Sequence, residues 1–186
     1  LRLDEVTDLT PGPRQILVRV AGASVNRADL SRRKGGYQGG AELALPFVPG
    51  TDVAGVIEAV GPNVRADEAA VGGRVVALLS DGGYAEYVAT HVAAAQPVPD
   101  NLSLVEAAGI PVVFLTAWFG LLHPGQGALQ PGQIVLVNSA GSGVGAAAIQ
   151  IAKHAGARVI ASAGSDWKLE RARALGADEV INYSTE

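Results

Sequence analysis

The stretch VNSAGSGVGAAAIQIAKHAGARVI, Val137 to Ile160, sets small residues where a chain leaves a strand, turns sharply and enters a helix. Two registers of one pattern overlap in it. Gly141, Gly143 and Ala146 satisfy G-x-G-x-x-G/A; shifted by one, Ala140, Ser142 and Gly145 occupy the same three places. In either register the first helical N–H groups lack intrahelical acceptors and sit at the positive end of the helix dipole, a natural seat for a pyrophosphate. Larger side chains would hold the anion away. A lone match of this kind is weak. This one follows a strand pattern, opens a helix pattern and lies within a β-α-β unit, so it reads as a dinucleotide-binding turn. The plainer reading is a tight strand–helix connection that binds nothing.

The flanking residues bear on which dinucleotide. An NAD site usually places Asp or Glu about 20 residues beyond the glycines to hold the ribose 2′-hydroxyl. Counting from the turn reaches Ser162, Ala163 and Gly164, with no carboxylate among them. Asp166 comes next, in the first turn of a helix, where an acid has a purely structural use. Ser165 and Lys168 supply a hydroxyl and a cation suited to a 2′-phosphate, which favours NADP over NAD. Taken alone, Lys168 is an exposed helix lysine.

Several elements must position these groups. "RQILVRVAGASV" and "GTDVAGVIEAVGPNV" read as strands bounded by Pro-Gly turns, and "GGRVVALLSDGGYAEYVAT" reads as a hairpin around Asp81-Gly82-Gly83. Ser103 and Glu106 form a capping box. The segment Pro111 to His123 is apolar on all sides, which predicts a buried helix. Beyond the Pro124 to Gly132 linker the order becomes β-α-β-α-β, with Val144, Ala148, Ile151 and Ala155 as the apolar stripe of the first helix. That order predicts a parallel, doubly wound sheet. Three strands are half of such a sheet, and the chain begins at Leu1 without any methionine, so it reads as truncated at both ends.

Composition narrows the partners. The chain has 186 residues, 48% of them hydrophobic, and a net charge of −4 without basic stripes, which argues against nucleic acid and anionic membranes. Cysteine is absent, which excludes disulfides, thiolate metal sites and a cysteine nucleophile. No signal peptide is evident and no apolar run approaches the ~20 residues that span a bilayer, so the expected location is cytoplasmic.

Taken together, "AGASVNRADLSRRKGGY", "PFVPGTDVAGVIEAVG", "GGYAEYV", "FLTAW", "AGSGVGAAAIQIAKHAGA" and "LGADEVINY" resemble, in order and spacing, the zinc-independent quinone oxidoreductase branch of the medium-chain dehydrogenase/reductase superfamily. The resemblance implies a GroES-like β domain over residues 1–125, followed by the first half of a Rossmann doubly wound parallel sheet over 126–186. It aligns the turn on Ala140, Ser142 and Gly145, with the Gly143 and Val144 amides and the Ser142 hydroxyl near the pyrophosphate. It places Lys168 and Tyr183 on the 2′-phosphate of NADPH, beside Gly164 and Ser165, which the count from the turn already puts next to the nucleotide. It also places Asn26 and Thr116 near the nicotinamide, with Asp29 supporting Asn26, and Tyr37 at the substrate pocket. Asn26 and Tyr37 are thereby the candidate catalytic residues. Each has a structural alternative: a strand-end turn residue for Asn26, a helix N-terminal charge for Asp29, a buried helix threonine for Thr116, a boundary aromatic for Tyr183.

Zinc-dependent members carry Cys at the position of Asn26 and a His-Glu pair at Thr51-Asp52, and they carry a four-cysteine lobe without counterpart here. His91, His123 and His154 are widely spaced and lack the partners of a tetrahedral site. Without a Lewis acid, a quinone or other α,β-unsaturated carbonyl is the fitting hydride acceptor, because the incoming charge delocalises onto a conjugated oxygen. The expected activity is therefore NADPH-dependent quinone or enone reduction by a homodimer. A nucleotide-binding protein without turnover and an enoyl-thioester reductase are the alternatives.

Overall fold

β-Branched and aliphatic residues alternate in the first half of the chain, and that alternation becomes an antiparallel sheet. In the computed structural model, which describes residues 2–35 and 46–185, β1 is Gln15–Ala23, β2 Asp52–Val60, β3 Arg74–Leu78, β4 Tyr87–His91 and β5 Ala95–Pro97. Their order across the sheet is β4-β1-β2-β3-β5. Every second residue of β1 faces inward, so that Ile16 and Val18 join Val53, Ile57, Val75, Ala77, Val88 and Val92 in one core. A second cluster of Ala54, Val98, Ala107 and Ala108 uses the short helix α2, Leu104–Ala107. That helix begins as its sequence predicts: Ser103 Oγ accepts from Glu106 N at 3.2 Å and Glu106 Oε2 accepts from Ser103 N at 2.9 Å.

The expected hairpin around Asp81-Gly82-Gly83 does not form. β3 pairs with β2 and β5, whereas β4 pairs with β1. The intervening glycines are taken by another segment: Gly82 N, Gly83 N and Tyr84 N donate to the carbonyls of Val48, Gly50 and Pro49. Gly50 has φ 102°, and a side chain there would strike the Tyr84 backbone. A turn-like dipeptide sequence was therefore recruited into a nonlocal pairing.

The second half is α/β. Strands β6 (Ile134–Val137), β7 (Arg158–Ala163) and β8 (Glu179–Asn182) are parallel in the order β6-β7-β8, joined by helices α4 (Gly143–His154) and α5 (Asp166–Ala174). This is the β-α-β-α-β order read from the sequence. The core is built of small residues: Ala147, Ala148, Ile149, Ala152, Val159, Ala161 and Ala172. The buried face of α4 is rotated from the predicted stripe. Gly145, Ala148, Ile149 and Ala152 face inward while Val144 is exposed, because α4 must start close against the end of β6. Helix α3, Pro111–Leu122, buries Ala117, but Leu115, Trp118 and Phe119 on another side remain about half exposed. Its uniform apolarity therefore does not correspond to burial all round among the described residues.

The chain divides into two compact units, Leu1–Val112 and Val113–Glu186. Among the described residues, no helix is long and apolar enough to cross a membrane.

The antiparallel sheet has one especially tight crossing. The β1–β2 register is irregular at Leu17/Val18 and at Val20/Gly22, and a methyl on Gly55 would collide with the Arg19 carbonyl and stand 2.7 Å from Val18 Cγ1. Gly55→Ala should therefore destabilise the protein by about 3 kcal/mol, the upper range for overpacking a core. A fall in the urea midpoint followed by far-ultraviolet circular dichroism measures it; an unchanged midpoint would show that β1 yields freely.

Candidate functional site

The glycine turn is shaped by one close approach. A Cβ on Gly145 would stand 2.5 Å from the Ser139 carbonyl oxygen and 2.9 Å from Ala140 Cα, so only glycine lets the first turn of α4 rest on the end of β6. This geometry selects the register in which Gly145 is the third small residue and Ala140 the first; Ala140 is buried and Ala146 is not. Ser139, at φ 55°, turns the chain out of the strand. Ser142 is the N-cap of α4, and its Oγ accepts from Gly145 N at 3.0 Å. That bond uses an oxygen lone pair and leaves the hydroxyl proton available. Gly143 and Val144 occupy the first helical turn, whose N–H groups point outward without intrahelical acceptors.

The sequence-predicted 2′-phosphate residues gather at the carboxyl ends of β7 and β8. Gly164 ends against Tyr183: a Cβ there would lie 2.9 Å from the tyrosine ring and 3.0 Å from its hydroxyl. Ser165 is the N-cap of α5 but makes no side-chain capping bond, and its Oγ is buried without a partner among the described residues. The Lys168 stem runs over Gly141, where a Cβ would meet its Cδ at 2.6 Å. Its Nζ lies 5.4 Å from the Trp167 ring centroid, and no carboxylate pairs with it among the described residues. Tyr183 is 59% exposed. An ammonium without a carboxylate partner, an unpartnered hydroxyl and an exposed phenol thus lie at neighbouring strand ends among the described residues, with the lysine stem running over the turn. These groups fit the phosphates of a dinucleotide. The strand ends beneath them are tied by Ala140 N donating to Ser162 O at 2.9 Å and by Ser162 Oγ donating to Asn138 Oδ1 at 3.1 Å, a link between residues more than twenty positions apart that has no motif in the sequence.

In the first unit, helix α1, Arg27–Arg33, starts at Asn26. Asp29 returns a capping bond, its Oδ2 accepting from Asn26 N at 2.8 Å. The same oxygen accepts from the Tyr84 hydroxyl at 3.0 Å, and Asp29 Oδ1 is buried without a partner among the described residues. Asp29 thus holds the helix start under Asn26 as a capping charge, which is the structural alternative named for it from the sequence. Asn26 Nδ2 donates to Ser24 Oγ, Asp52 Oδ1 and Thr51 Oγ1 at 2.9, 3.0 and 3.3 Å. Ser24, Asp52 and Tyr84 were not selected from sequence as site residues. Asp52 had a detectable signal: an acid opening an otherwise apolar strand must be buried with partners. Tyr84 had none, because its partner is 55 residues away.

Thr116 is exposed on α3, beside Leu115, Trp118 and Phe119, around a shallow hollow of about 410 Å³. It is therefore not the buried, self-bonded threonine of the structural alternative. Tyr37 lies outside the described residues. Among the described residues no group of three His, Cys, Asp or Glu side chains is arranged to hold a metal ion.

Two family models match the chain: an alcohol dehydrogenase GroES-like domain over residues 12–100 and a zinc-binding dehydrogenase domain over residues 143–186. An NADPH-dependent alkenal/one oxidoreductase from Arabidopsis thaliana is 37% identical over 182 residues, covering 92% of this chain and 46% of the relative. A solved NAD-dependent alcohol dehydrogenase superposes with a TM-score of 0.88 at 43% identity, covering 97% of this chain and 59% of that one. The Thermus thermophilus quinone oxidoreductase, solved also as a complex with NADPH, gives 0.83 at 37% identity, covering 96% and 55%. The chain spans from 8% to about half the length of the curated relatives it matches.

Burial and the Asp29 carboxylate, together with the charge of Asp52, push the Tyr84 hydroxyl up to about 12 from an ordinary value of 10.0. An acid whose folded pKa is raised stabilises the fold while protonated, so this contribution is complete below pH 10 and is lost as pH climbs toward 12. Tyr84→Phe should accordingly lower Tm at pH 7, with the gap to wild type narrowing above pH 10. Thermal melts across that range test it, and a gap that stays constant with pH would contradict the assignment.

Proposed function

Because the chain belongs to the medium-chain dehydrogenase/reductase superfamily, we propose that it binds NADPH and reduces a quinone or other α,β-unsaturated carbonyl without zinc. One observation carries the reading: the outward amides of α4 stand at the same strand ends as Lys168, Ser165 and Tyr183. A pyrophosphate accepts from Gly143 N and Val144 N, and the Ser142 hydroxyl donates its proton to the same group while still capping the helix. Lys168 and Tyr183 bind the 2′-phosphate, with Gly164 allowing close approach and Ser165 Oγ gaining the partner it lacks. Bound NADPH supplies the hydride.

The remaining assignments follow the family resemblance. Asn26 and Thr116 hold the nicotinamide end, Asp29 keeps Asn26 at the helix start, and Tyr37 donates to the substrate oxygen. Residues 1–125 form the substrate-side domain and residues 126–186 carry the nucleotide turn, in a cytoplasmic homodimer. Zinc independence is supported by the chemistry at Asn26, Thr51 and Asp52. An amide replaces the thiolate, and the Asp52 oxygens already accept from Ser24, Asn26 and the Val112 amide. A cation at that point would have to displace buried hydrogen bonds. A conjugated acceptor suits such a site, since it spreads the charge that a metal would otherwise stabilise. The chain's task is then to hold donor and acceptor in register and exclude water.

Steady-state reduction of a panel of quinones, enones and an enoyl thioester, with NADPH and with NADH, tests the activity. Nucleotide binding with no turnover of any acceptor would overturn the reductase reading and leave a binding protein. Lys168→Ala should raise the NADPH KM by roughly ten- to a hundredfold, the weight of a hydrogen bond to a charged group, and leave the NADH KM nearly unchanged. Equal effects on both would remove Lys168 from the phosphate site.

A further inference from the structure

Asp52 is fully buried at the start of β2 and accepts three hydrogen bonds. Its Oδ1 takes Ser24 Oγ–H at 2.5 Å and Asn26 Nδ2–H at 3.0 Å; its Oδ2 takes Val112 N–H at 3.1 Å. A carboxylate is an acceptor only, and this imposes a direction on its neighbours. The Ser24 proton goes to Asp52, so toward Asn26 the Ser24 oxygen is an acceptor, at 2.9 Å. Thr51 Oγ1 lies at 3.3 Å from the same nitrogen. Asp52 Oδ1 and Ser24 Oγ therefore call for the NH₂ end of the Asn26 amide on this side, and the Thr51 hydroxyl, which can donate or accept, is compatible with it. Turned over, the amide would place its own oxygen against a buried carboxylate. Asn26 and Asp29 face each other in a capping box at the start of α1, and Asp29 N donates to the Asn26 backbone carbonyl at 3.1 Å. Asn26 is half-buried, and among the described residues its Oδ1 faces at most the Asp29 amide of the capping box, which leaves one lone pair open to a ligand.

We infer that Asp52 is a positioning residue: it locks the Asn26 amide with nitrogen inward, so that a bound nicotinamide nucleotide meets only the Asn26 oxygen. The ligand group at that point is a hydrogen-bond donor, either the carboxamide N–H of the nicotinamide or a hydroxyl of its ribose. Asn26 does not polarise the substrate carbonyl, which would require a donor. This inference rests on the nucleotide reading above and assigns a polarity to one of its contacts.

The test uses NADPH, its 3-acetylpyridine analogue, which replaces the carboxamide nitrogen by a methyl, and an analogue lacking the 2′-hydroxyl of the nicotinamide ribose. Wild type should bind one of the two analogues about fivefold more weakly than NADPH, the weight of one hydrogen bond between neutral groups; which one identifies the donor. Asn26→Ala should abolish that discrimination. Asp52→Asn should abolish it as well, because the amide is then free to turn, while the NADPH-to-NADH affinity ratio stays at its wild-type value. Were Asp52 merely structural, Asp52→Asn would weaken all nucleotides together and preserve the analogue ratio, which would overturn the proposal. No discrimination in wild type would overturn it equally. Wild type binding no nucleotide at all would instead remove the nucleotide reading.

A measurement on the nucleotide-free protein covers the case in which Asp52→Asn does not fold. The Asn26 Nδ2 protons should show slow solvent exchange by NMR in wild type and about fivefold faster exchange in Ser24→Ala. Exchange at the rate of an exposed asparagine in wild type would sink the locked amide whatever the nucleotide does.

Discussion

The second unit depends on a contact that only glycine permits. Gly145 sits so near the Ser139 carbonyl that any side chain would push α4 off the end of β6. Close seating does two things at once. It buries the alanine-rich face of α4 against β6 and β7, where small side chains compensate for their modest apolar area by packing closely. It also aims the free amides of the first helical turn beyond the strand ends, where the helix dipole adds to their attraction for an anion. Packing and ligand chemistry therefore have a single cause here.

The first unit is organised around a buried charge. Asp52 stands with no exposed surface among apolar strand residues, a placement that would be costly without hydrogen bonds to the ionised group. Its donors come from β1's end, the residue capping α1 and the start of α3, so segments far apart in sequence converge on one carboxylate. Next to it, Tyr84 and Asp29 form a second link, in which the phenol proton is held by burial and by the neighbouring negative charge. The two acids have different tasks. Asp29 secures the helix start, and Asp52 sets which way the amide at that start faces.

Legibility differed with the range of the interaction. The strand–turn–helix at Val137 to His154, the capping box of α2 and the three parallel strands were readable because each rests on residues a few positions apart. The hairpin expected around Asp81-Gly82-Gly83 does not form, for the complementary reason. Its turn chemistry was locally sound, but residues 48–50 offered carbonyls to the same amides and won. Likewise the α4 stripe was displaced because the closeness of Gly145 to β6 sets the helix rotation, and periodicity alone carries no information about that contact.

Sequence by itself determined the two-part architecture, the small-residue turn and the types of side chain around it, since local backbone preferences and apolar periodicity act within a few residues. Tertiary structure alone decided the partners of β3 and β4 and the assembly of Ser24, Asn26, Thr51, Asp52 and Val112 around one carboxylate, and it supplied the steric reason for a turn register that the family resemblance already implied. Those outcomes depend on which groups meet across large sequence separations, and a hydrogen bond or steric exclusion over such a span has no signature in the order of the residues that make it.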